Sequence, residues 1–408
     1  MENIAVVGTG DVFHRFLAPS LEILEFQQLV KVLVTIDIKQ RKPLEYLSEK
    51  IEHRVRTSDE GLGFLLNDMK DKKPIVILAH DNDLHYEDTK DLVENGFSVM
   101  LEKPYVINKN QLNSLKKLIS ENPNKIFLME YYLMRKMAPL FLLSGIINKD
   151  SFYIGTEEVF REREPKNNLS SYIGKLEEIL GDPVSVKIKI LESEGDSGKL
   201  DHRGAHVFDI RRGGGMIQDM GIHAFIPLFV LENYLGKIDK SFNKGKVRVA
   251  VCKEFYDLAK EKYNIPEKYI GETYAEISLT TEKNIPVNIV VGKYSAYTQT
   301  QKNLIISGTK GKIDLNMHDN FMHIYQGYKI IERIELVNPK RSRYYPIIRT
   351  GLEYFKGKNP FCIDILQPPL NAQEFALHVI ERVRENPKIY ETGENHNNIF
   401  NDSLENLK

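Results

Sequence analysis

Three short stretches of this chain carry the residue types that chemistry requires. The first is Gly8-Thr9-Gly10-Asp11-Val12-Phe13, which directly follows the apolar run of residues 3–7. A glycine turn in that position lets the main chain approach a pyrophosphate. The helix after it then aims unpaired N–H groups and the positive end of its dipole at the same charge. Phe13 holds the third position of the G-x-G-x-x-G/A pattern, which implies a wider helix-to-strand contact there. A plain tight turn between strand and helix is the simpler alternative. Asp37 stands near the end of the next apolar run, residues 30–38, and lies 29 positions beyond Gly8. A carboxylate at the end of a second strand accepts hydrogen bonds from ribose hydroxyls and repels a 2′-phosphate, so it favours NAD. Lys39 and Arg41 follow closely and leave NADP open.

The second stretch is Glu102-Lys103-Pro104, at the end of the apolar run of residues 97–101. Ligands of open parallel sheets bind beyond the carboxyl ends of the strands, and the proline restricts the backbone of Lys103. The third is Gly213-Gly214-Gly215-Met216-Ile217-Gln218-Asp219-Met220-Gly221-Ile222-His223. If a helix begins after the glycines, Asp219 and His223 are four apart and share a face. A histidine beside a carboxylate is suited to proton transfer near neutral pH. The alternative is a pair that only satisfies itself. Arg203, Arg211 and Arg212 crowd the approach to these glycines. They suit a phosphate or carboxylate on a substrate, or else pair with the neighbouring Asp201 and Asp209.

The elements that must position these groups follow two grammars. Up to about residue 130, continuous apolar runs (3–7, 30–38, 74–79, 97–101 and 125–129) alternate with helical patterns at 16–28, 85–95 and 111–120. Such alternation predicts a doubly wound parallel sheet, a Rossmann-type α/β domain over residues 1–130. Beyond it, residues 184–190, 275–279 and 287–291 alternate apolar and polar side chains, and Gly308-Thr309-Lys310-Gly311 reads as a hairpin turn. These features predict a second α/β domain over residues 131–392, with a large, mostly antiparallel open sheet. Helical spacing returns at 345–355 and 371–385, where the segments pack back onto one of the domains. Residues 161–171 read as a polar loop, and residues 393–408 as a polar tail.

The chain has 408 residues, 42% of them hydrophobic, with 56 Lys and Arg against 57 Asp and Glu. That content supports two cores, and the charge balance gives no pull toward nucleic acid or anionic lipid. No apolar run is long enough for a membrane span. Cys252 and Cys362 fit neither a disulfide framework nor a metal site, and the expected compartment is the reducing cytoplasm.

The ordered set Ala5-Val6-Val7-Gly8-Thr9-Gly10-Asp11-Val12, Glu102-Lys103-Pro104 and Gly213-Gly214-Gly215 through Asp219-Met220-Gly221-Ile222-His223 resembles the Gfo/Idh/MocA oxidoreductases, the glucose-fructose oxidoreductase and inositol dehydrogenase family. The resemblance runs from residue 3 to about residue 390. It implies NAD(P) binding by the first domain and reversible hydride transfer at a carbinol or ketone carbon of a sugar, sugar derivative or cyclitol. It places Lys103, Asp219 and His223 at the carbinol, with His223 as proton acceptor or donor, Asp219 orienting it, and Lys103 stabilising charge on the oxygen or exchanging roles with His223. Positions His80, Asn82, His85 and Glu102 match the cofactor crevice, and Tyr132, Arg135 and His206 match substrate positions. It also implies a homodimer or homotetramer and no metal ion.

Several positions depart from the family pattern. His80-Asp81 replaces Thr-Pro, Glu130 through Arg135 replaces Gly-x-Asn-x-Arg, and Ala205-His206 replaces an aromatic-Arg pair. Residues 139–180 are longer than the usual connection, as an insertion over the cleft or an oligomer contact would be. Two other functions use the same features: glycoside cleavage through transient oxidation with tightly held NAD, and non-catalytic sensing of a dinucleotide and a sugar.

Overall fold

A computed structural model describes residues 1–37, 51–55, 62–130, 135–146, 172–193, 200–294, 300–335, 344–359, 361–383 and 388–390. Lys39, Arg41, Tyr132, the polar loop of residues 161–171 and the tail from residue 393 lie outside the described residues, as does the middle of the 139–180 segment. The chain forms two compact units. One comprises Met1–Gly174 with Leu336–Leu370, and the other Lys175–Glu335 with Asn371–Lys408.

In the first unit six strands run parallel: β1 (Glu2–Val7), β2 (Val30–Asp37), β3 (Glu52–Val55), β4 (Ile75–Leu78), β5 (Ser98–Glu102) and β6 (Ile126–Met129). Their order is β3-β2-β1-β4-β5-β6. This is the doubly wound topology expected from the sequence, with its switch point between β1 and β4. Val7 pairs with Ile36 on one side and Leu78 on the other, so the chain leaves β1 into a crevice at the carboxyl edge. All four residues of β4 and of β6 are buried, which is why both read as unbroken apolar runs. The sequence reading missed β3. Three of its four residues (EHRV) are polar or charged, and an edge strand tolerates that because one side faces water.

The first unit extends past residue 130 because later segments pack onto its sheet. The helix Tyr345–Phe355 lies against β5 and β6: Tyr354 and Phe127 have ring centroids 5.6 Å apart, and Gly351 sits against Met100 and Phe127. The Tyr344 N–H donates to Ser20 Oγ at 3.0 Å, and the Cys362 N–H to the Ile146 carbonyl at 2.7 Å.

The second unit is built on nine strands, β7 (Pro183–Leu191), β8 (Lys246–Cys252), β9 (Tyr274–Thr280), β10 (Pro286–Gly292), β11 (Gln301–Gly308), β12 (Gly311–Asn316), β13 (Phe321–Gln326), β14 (Lys329–Glu335) and β15 (Lys388–Tyr390). The order is β14-β13-β12-β11-β7-β10-β9-β8-β15. Neighbours are antiparallel except β7 with β10 and β8 with β15. The expected hairpin is present, with Thr309 and Lys310 turning between β11 and β12 and donating their N–H groups to the Asp182 and Leu180 carbonyls. Along β7, Val186, Ile188 and Ile190 are buried while Lys187 and Lys189 are exposed. The buried face packs on helices, and Phe375 is a hub there, with Phe225, Phe242 and Phe229 ring centroids at 4.8, 5.4 and 6.0 Å. Phe225 and Phe229 belong to the helix Ile222–Val230, so this aromatic cluster fixes the element that carries His223.

The alternation in β7 predicts a sharp contrast in urea unfolding. Ile190→Ala removes a fully buried side chain from a central strand and is expected to cost about 2–5 kcal/mol, whereas the adjacent Lys189→Ala is expected to change stability by no more than about 0.5 kcal/mol. Equal effects of the two would contradict the facing assigned to this strand.

Candidate active site

The first unit presents the dinucleotide-type constellation. Gly8 has φ +96°, and a Cβ placed on it would stand 2.4 Å from the Ala79 carbonyl oxygen, so only glycine lets β1 and the end of β4 approach this closely. Above Gly10 the space is open, with no atom within 4 Å of a Cβ built there. The His14 N–H donates to the Gly10 carbonyl at 3.1 Å, and a helix follows from Asp11. Residues Phe13–Leu17 form a π turn before the regular helix Ala18–Phe26. Phe13 is fully buried, and the wider turn accompanies the large ring at the family's third glycine position. Asp11 is exposed and pairs with Arg15 at 3.2 Å, while Val12 is half-buried.

Asp37 closes β2 and is buried, with one oxygen accepting both the Thr9 N–H at 2.7 Å and the Thr9 hydroxyl at 2.6 Å. The predicted ribose carboxylate is therefore tied to the glycine turn itself.

At the end of β4, His80 Nδ1 lies 3.0 Å from the Asp81 carbonyl and Nε2 lies 2.8 Å from the Asp88 carboxylate. Asn82 opens a short 3-10 turn and is half-buried. His85 is buried and donates from Nδ1 to the Pro104 carbonyl at 2.7 Å, so it braces the turn that carries Lys103. Burial, reinforced by His80, pushes its imidazole down to about 3 against the pull of backbone carbonyls and Asp88. His85 is thus neutral, and its buried Nε2 has no hydrogen-bond partner.

The Lys103–Pro104 peptide is cis, and Lys103 is half-buried at the carboxyl edge of β5. The preceding Glu102 is buried, and one of its oxygens accepts the Lys103 N–H at 3.0 Å. Burial pushes this carboxyl up to about 7, aided by Glu130 and opposed by Lys103 and a hydrogen bond from the Tyr344 hydroxyl. Its Oε1 is buried with no hydrogen-bond partner. Tyr344, more than two hundred positions away in sequence, carries no local signal of this role. Arg135 is buried, only 2% exposed.

The second unit carries the triple glycine. Gly213 and Gly215 take φ of +80° and +90°, and Gly214 leaves no room for a Cβ against the Val207 carbonyl. The element that follows begins as a π turn, Ile217–Gly221, and becomes an α-helix at Ile222–Val230. The single regular helix expected through Asp219 and His223 is therefore a π turn, with i to i+5 bonding, up to Gly221 and an α-helix beyond it. Asp219 Oδ2 accepts from Lys293 Nζ at 3.1 Å. His223 is buried on the first turn of the α-helix. His206 is half-buried on the short helix Ala205–Phe208. Arg211 follows its simpler reading: it pairs with Asp209 at 2.9 and 2.5 Å and lies over the Tyr269 ring.

Two residues missed in the sequence build this turn. Glu272 is buried, its Oε1 accepts the Ile217 N–H at 2.6 Å, and its carbonyl accepts the Met216 N–H at 3.0 Å. It caps the segment from just before β9. Burial pushes its carboxyl up to about 7, against the backbone N–H groups that favour the anion. Lys293, one residue past β10, is the partner of Asp219.

Comparison with known proteins agrees with the first-unit geometry. Residues 2–131 match the model of an oxidoreductase family with an NAD-binding Rossmann fold, GFO_IDH_MocA. Residues 2–131 are thus an NAD(P)-binding Rossmann domain of the oxidoreductase type. No curated protein matches the sequence. Its fold is shared by solved structures of low sequence identity. Biliverdin reductase from Synechocystis sp. PCC 6803, in complex with biliverdin and NADP+, has a TM-score of 0.62 at 12% identity, covering 93% of this chain and 98% of that one. KijD10, a 3-ketoreductase from Actinomadura kijaniata in complex with TDP-benzene and NADP, has a TM-score of 0.60 at 14% identity, covering 96% and 99%. The UDP-N-acetylglucosamine 3-dehydrogenase GnnA from Acidithiobacillus ferrooxidans has a TM-score of 0.62 at 12% identity, covering 94% and 97%. Among the described residues, no helix is long and apolar enough to cross a membrane.

The two carboxyls near 7 set a pH dependence. A folded-state value raised above the ordinary carboxylate range means that the folded state binds more protons between about 4.5 and 7, so stability is greatest below that window and falls as pH rises through it. Glu272→Gln keeps an acceptor for Ile217 and is expected to flatten the decline in urea midpoint between about pH 4.5 and 7. Glu272→Ala, which removes the cap, is expected to lose about 1–2 kcal/mol at every pH. A wild-type midpoint that rises across this window would show that the two carboxyls are not the groups described.

Proposed function

We propose that this oxidoreductase moves hydride between NAD(P) and a carbinol or ketone carbon of a sugar, sugar derivative or cyclitol, with Lys103, Asp219 and His223 handling the proton. The observation that carries the reading is the carboxyl edge of the first sheet. β1 delivers the glycine turn there and β5 delivers Lys103, two strands apart in the order β1-β4-β5. Two strand spacings amount to about 10 Å, a span that a dinucleotide bridges when its pyrophosphate lies on the turn. The main chain fits that group: Gly8 admits no side chain, the space over Gly10 is open, and a helix begins at Asp11. The half-buried Asn82 and the unpartnered Glu102 Oε1 stand along the same edge as polar groups for its ribose, with His80 beside them.

When bound, the nicotinamide supplies the hydride acceptor or donor. The carbinol oxygen must lose its proton as the C–H bond breaks, so a base has to contact it. His223 takes that proton and returns it in the reverse direction. Lys103 donates a hydrogen bond to the oxygen and stabilises its developing charge. Asp219, as an anion, favours the imidazolium that forms. His206 contributes to substrate recognition in this reading. Asp37 disfavours a 2′-phosphate and makes NAD the preferred coenzyme. The compartment is the cytoplasm, in keeping with the free thiols of Cys252 and Cys362, and the acting form is a homodimer or homotetramer.

The test is a panel of free hexoses, cyclitols and nucleotide-linked sugars assayed at the nicotinamide absorbance band. Turnover is expected with at least one member. Lys103→Met and His223→Ala are expected to lower kcat by about 100-fold or more while NADH titration is unchanged. Wild-type turnover retained in both variants would end the assignment. Release of a sugar without accumulated NADH would instead identify glycoside cleavage, and tight NADH binding with no turnover a sensor. Asp37→Ala is expected to weaken NADH about tenfold and NADPH much less, read by fluorescence titration. Equal losses for both coenzymes would remove the stated preference.

A further inference from the structure

We propose that Lys293 is a positioning residue for the proton-transfer step, holding the Asp219 carboxylate in place on the turn before His223 through a buried chain of alternating charges, Asp219–Lys293–Glu192–Lys302. The inference rests on the function proposed above and adds to it a residue outside every motif of the sequence.

Lys293 Nζ lies 3.1 Å from Asp219 Oδ2 and 3.4 Å from Glu192 Oε2, and Lys302 Nζ lies 2.6 Å from Glu192 Oε1. The side chains of Lys293, Glu192 and Lys302 are only 12%, 14% and 15% exposed, while Asp219, at the outer end, is 27% exposed. Lys293 faces Asp219 from the π turn, Glu192 from the end of β7, Tyr294 from its own segment, and Arg203 at longer range. Burial pulls the ammonium down, and Asp219, Tyr294 and Glu192 outweigh it and hold it above the ordinary lysine range. Burial likewise pushes Glu192 up, and Lys293 and Lys302 bring it down to about 2. Lys293 and Glu192 are therefore both ionised at neutral pH, each flanked by groups of opposite charge type.

Its frame is rigid. Glu192 and Lys293 each stand one residue past the ends of β7 and β10, which pair in parallel with Leu191 opposite Gly292. The Glu192 N–H donates to the Gly292 carbonyl at 3.0 Å, and the Lys293 N–H to the Thr273 carbonyl at 2.9 Å. Lys302 comes from β11, on the other side of β7. Thr273 adjoins Glu272, which caps the same turn, so two neighbouring anchors grip the segment that carries Asp219. One holds its N–H groups and the other holds its carboxylate.

Buried ion networks add little net stability relative to apolar packing, whereas they define geometry well. A π turn lacks the uniform bonding of an α-helix, so a side chain on it gains most from an external strut. The consequence for chemistry is that Asp219 stays an anion and does not compete with His223 for the proton of the substrate. Loss of the ammonium would leave Asp219 and Glu192 without their shared counter-ion, with Glu192 still paired to Lys302, and the Asp219 carboxyl would move upward.

The test uses the full chain with the sugar that the wild type turns over. Lys293→Met is expected to lower kcat about 30-fold with KM and NADH affinity within about threefold, and to move the acidic limb of the pH profile upward, since an ionised Asp219 then needs a higher pH. Lys293→Arg, which keeps the cation, is expected to recover most of the rate and the original profile. A second measurement needs no turnover: the side-chain carboxyl 13C titration of Asp219 is expected to move to higher pH in Lys293→Met and not in Lys293→Arg. If Lys293→Met does not fold, Lys293→Gln replaces it with the same expectations. An unchanged rate and pH profile in the neutral variant overturns the proposal, as do equal losses in the neutral and Arg variants with an unmoved Asp219 titration. If the wild type turns over no panel member, the proposed function fails, and the carboxyl titration alone then decides the role of Lys293.

Discussion

The close approach of two main-chain segments at Gly8 governs the first unit. The turn after β1 passes so near the carbonyl of Ala79 at the end of β4 that no side chain fits between them, and its positive φ suits glycine alone. That proximity lays the turn across the switch point of the sheet, where its main chain rather than side chains lines the crevice. Thr9, the next residue, then uses both its N–H and its hydroxyl to hold Asp37 at the end of β2. The carboxylate at the end of β2 and the glycine turn are thereby set relative to one another by two hydrogen bonds and a steric limit. Neither depends on a mobile side chain.

The second unit solves a similar positioning problem with buried charge. A π turn supplies fewer regular backbone bonds than an α-helix, and the turn bearing Asp219 is held from outside by Glu272 and Lys293. The carboxylates of the two units show how environment sets ionisation. Glu102, Glu272 and Glu192 are all withdrawn from water. The first two, with weak compensation, are pushed up to about 7, while Glu192, between two ammonium groups, is brought down to about 2. Residue type alone distinguishes none of them; the neighbours decide.

The parallel domain was the most legible part of the chain because its strands are buried on both faces and so appear as unbroken apolar runs. Where a strand lies at an edge, as β3 does, that signal vanishes. The β7 strand and the Thr309-Lys310 hairpin were equally visible, one by its period of two and the other by its glycines. The strands β8, β13 and β14 escaped notice, since half-exposed strands rich in charged and aromatic side chains differ little from loops in composition. A helix was expected from the triple glycine onward, and the π turn within it leaves no local mark in Met216 to Gly221.

The sequence by itself determined the two grammars of strand and helix, the glycine turn with its downstream acid, and the positions of Lys103, Asp219 and His223. All of these follow from near-neighbour order: which residue ends a strand, which turn admits no side chain, which period a segment keeps. The tertiary structure alone decided who partners whom. Asp219 meets Lys293 from 74 residues away, Ile217 is capped by Glu272 from 55 residues away, and Arg211 turns to Asp209 rather than to a ligand. Such pairings depend on which strand ends lie side by side and on how little water reaches them. Those quantities come into being only when the sheets close, because the strength of a charge contact is set by burial and distance and not by position along the chain.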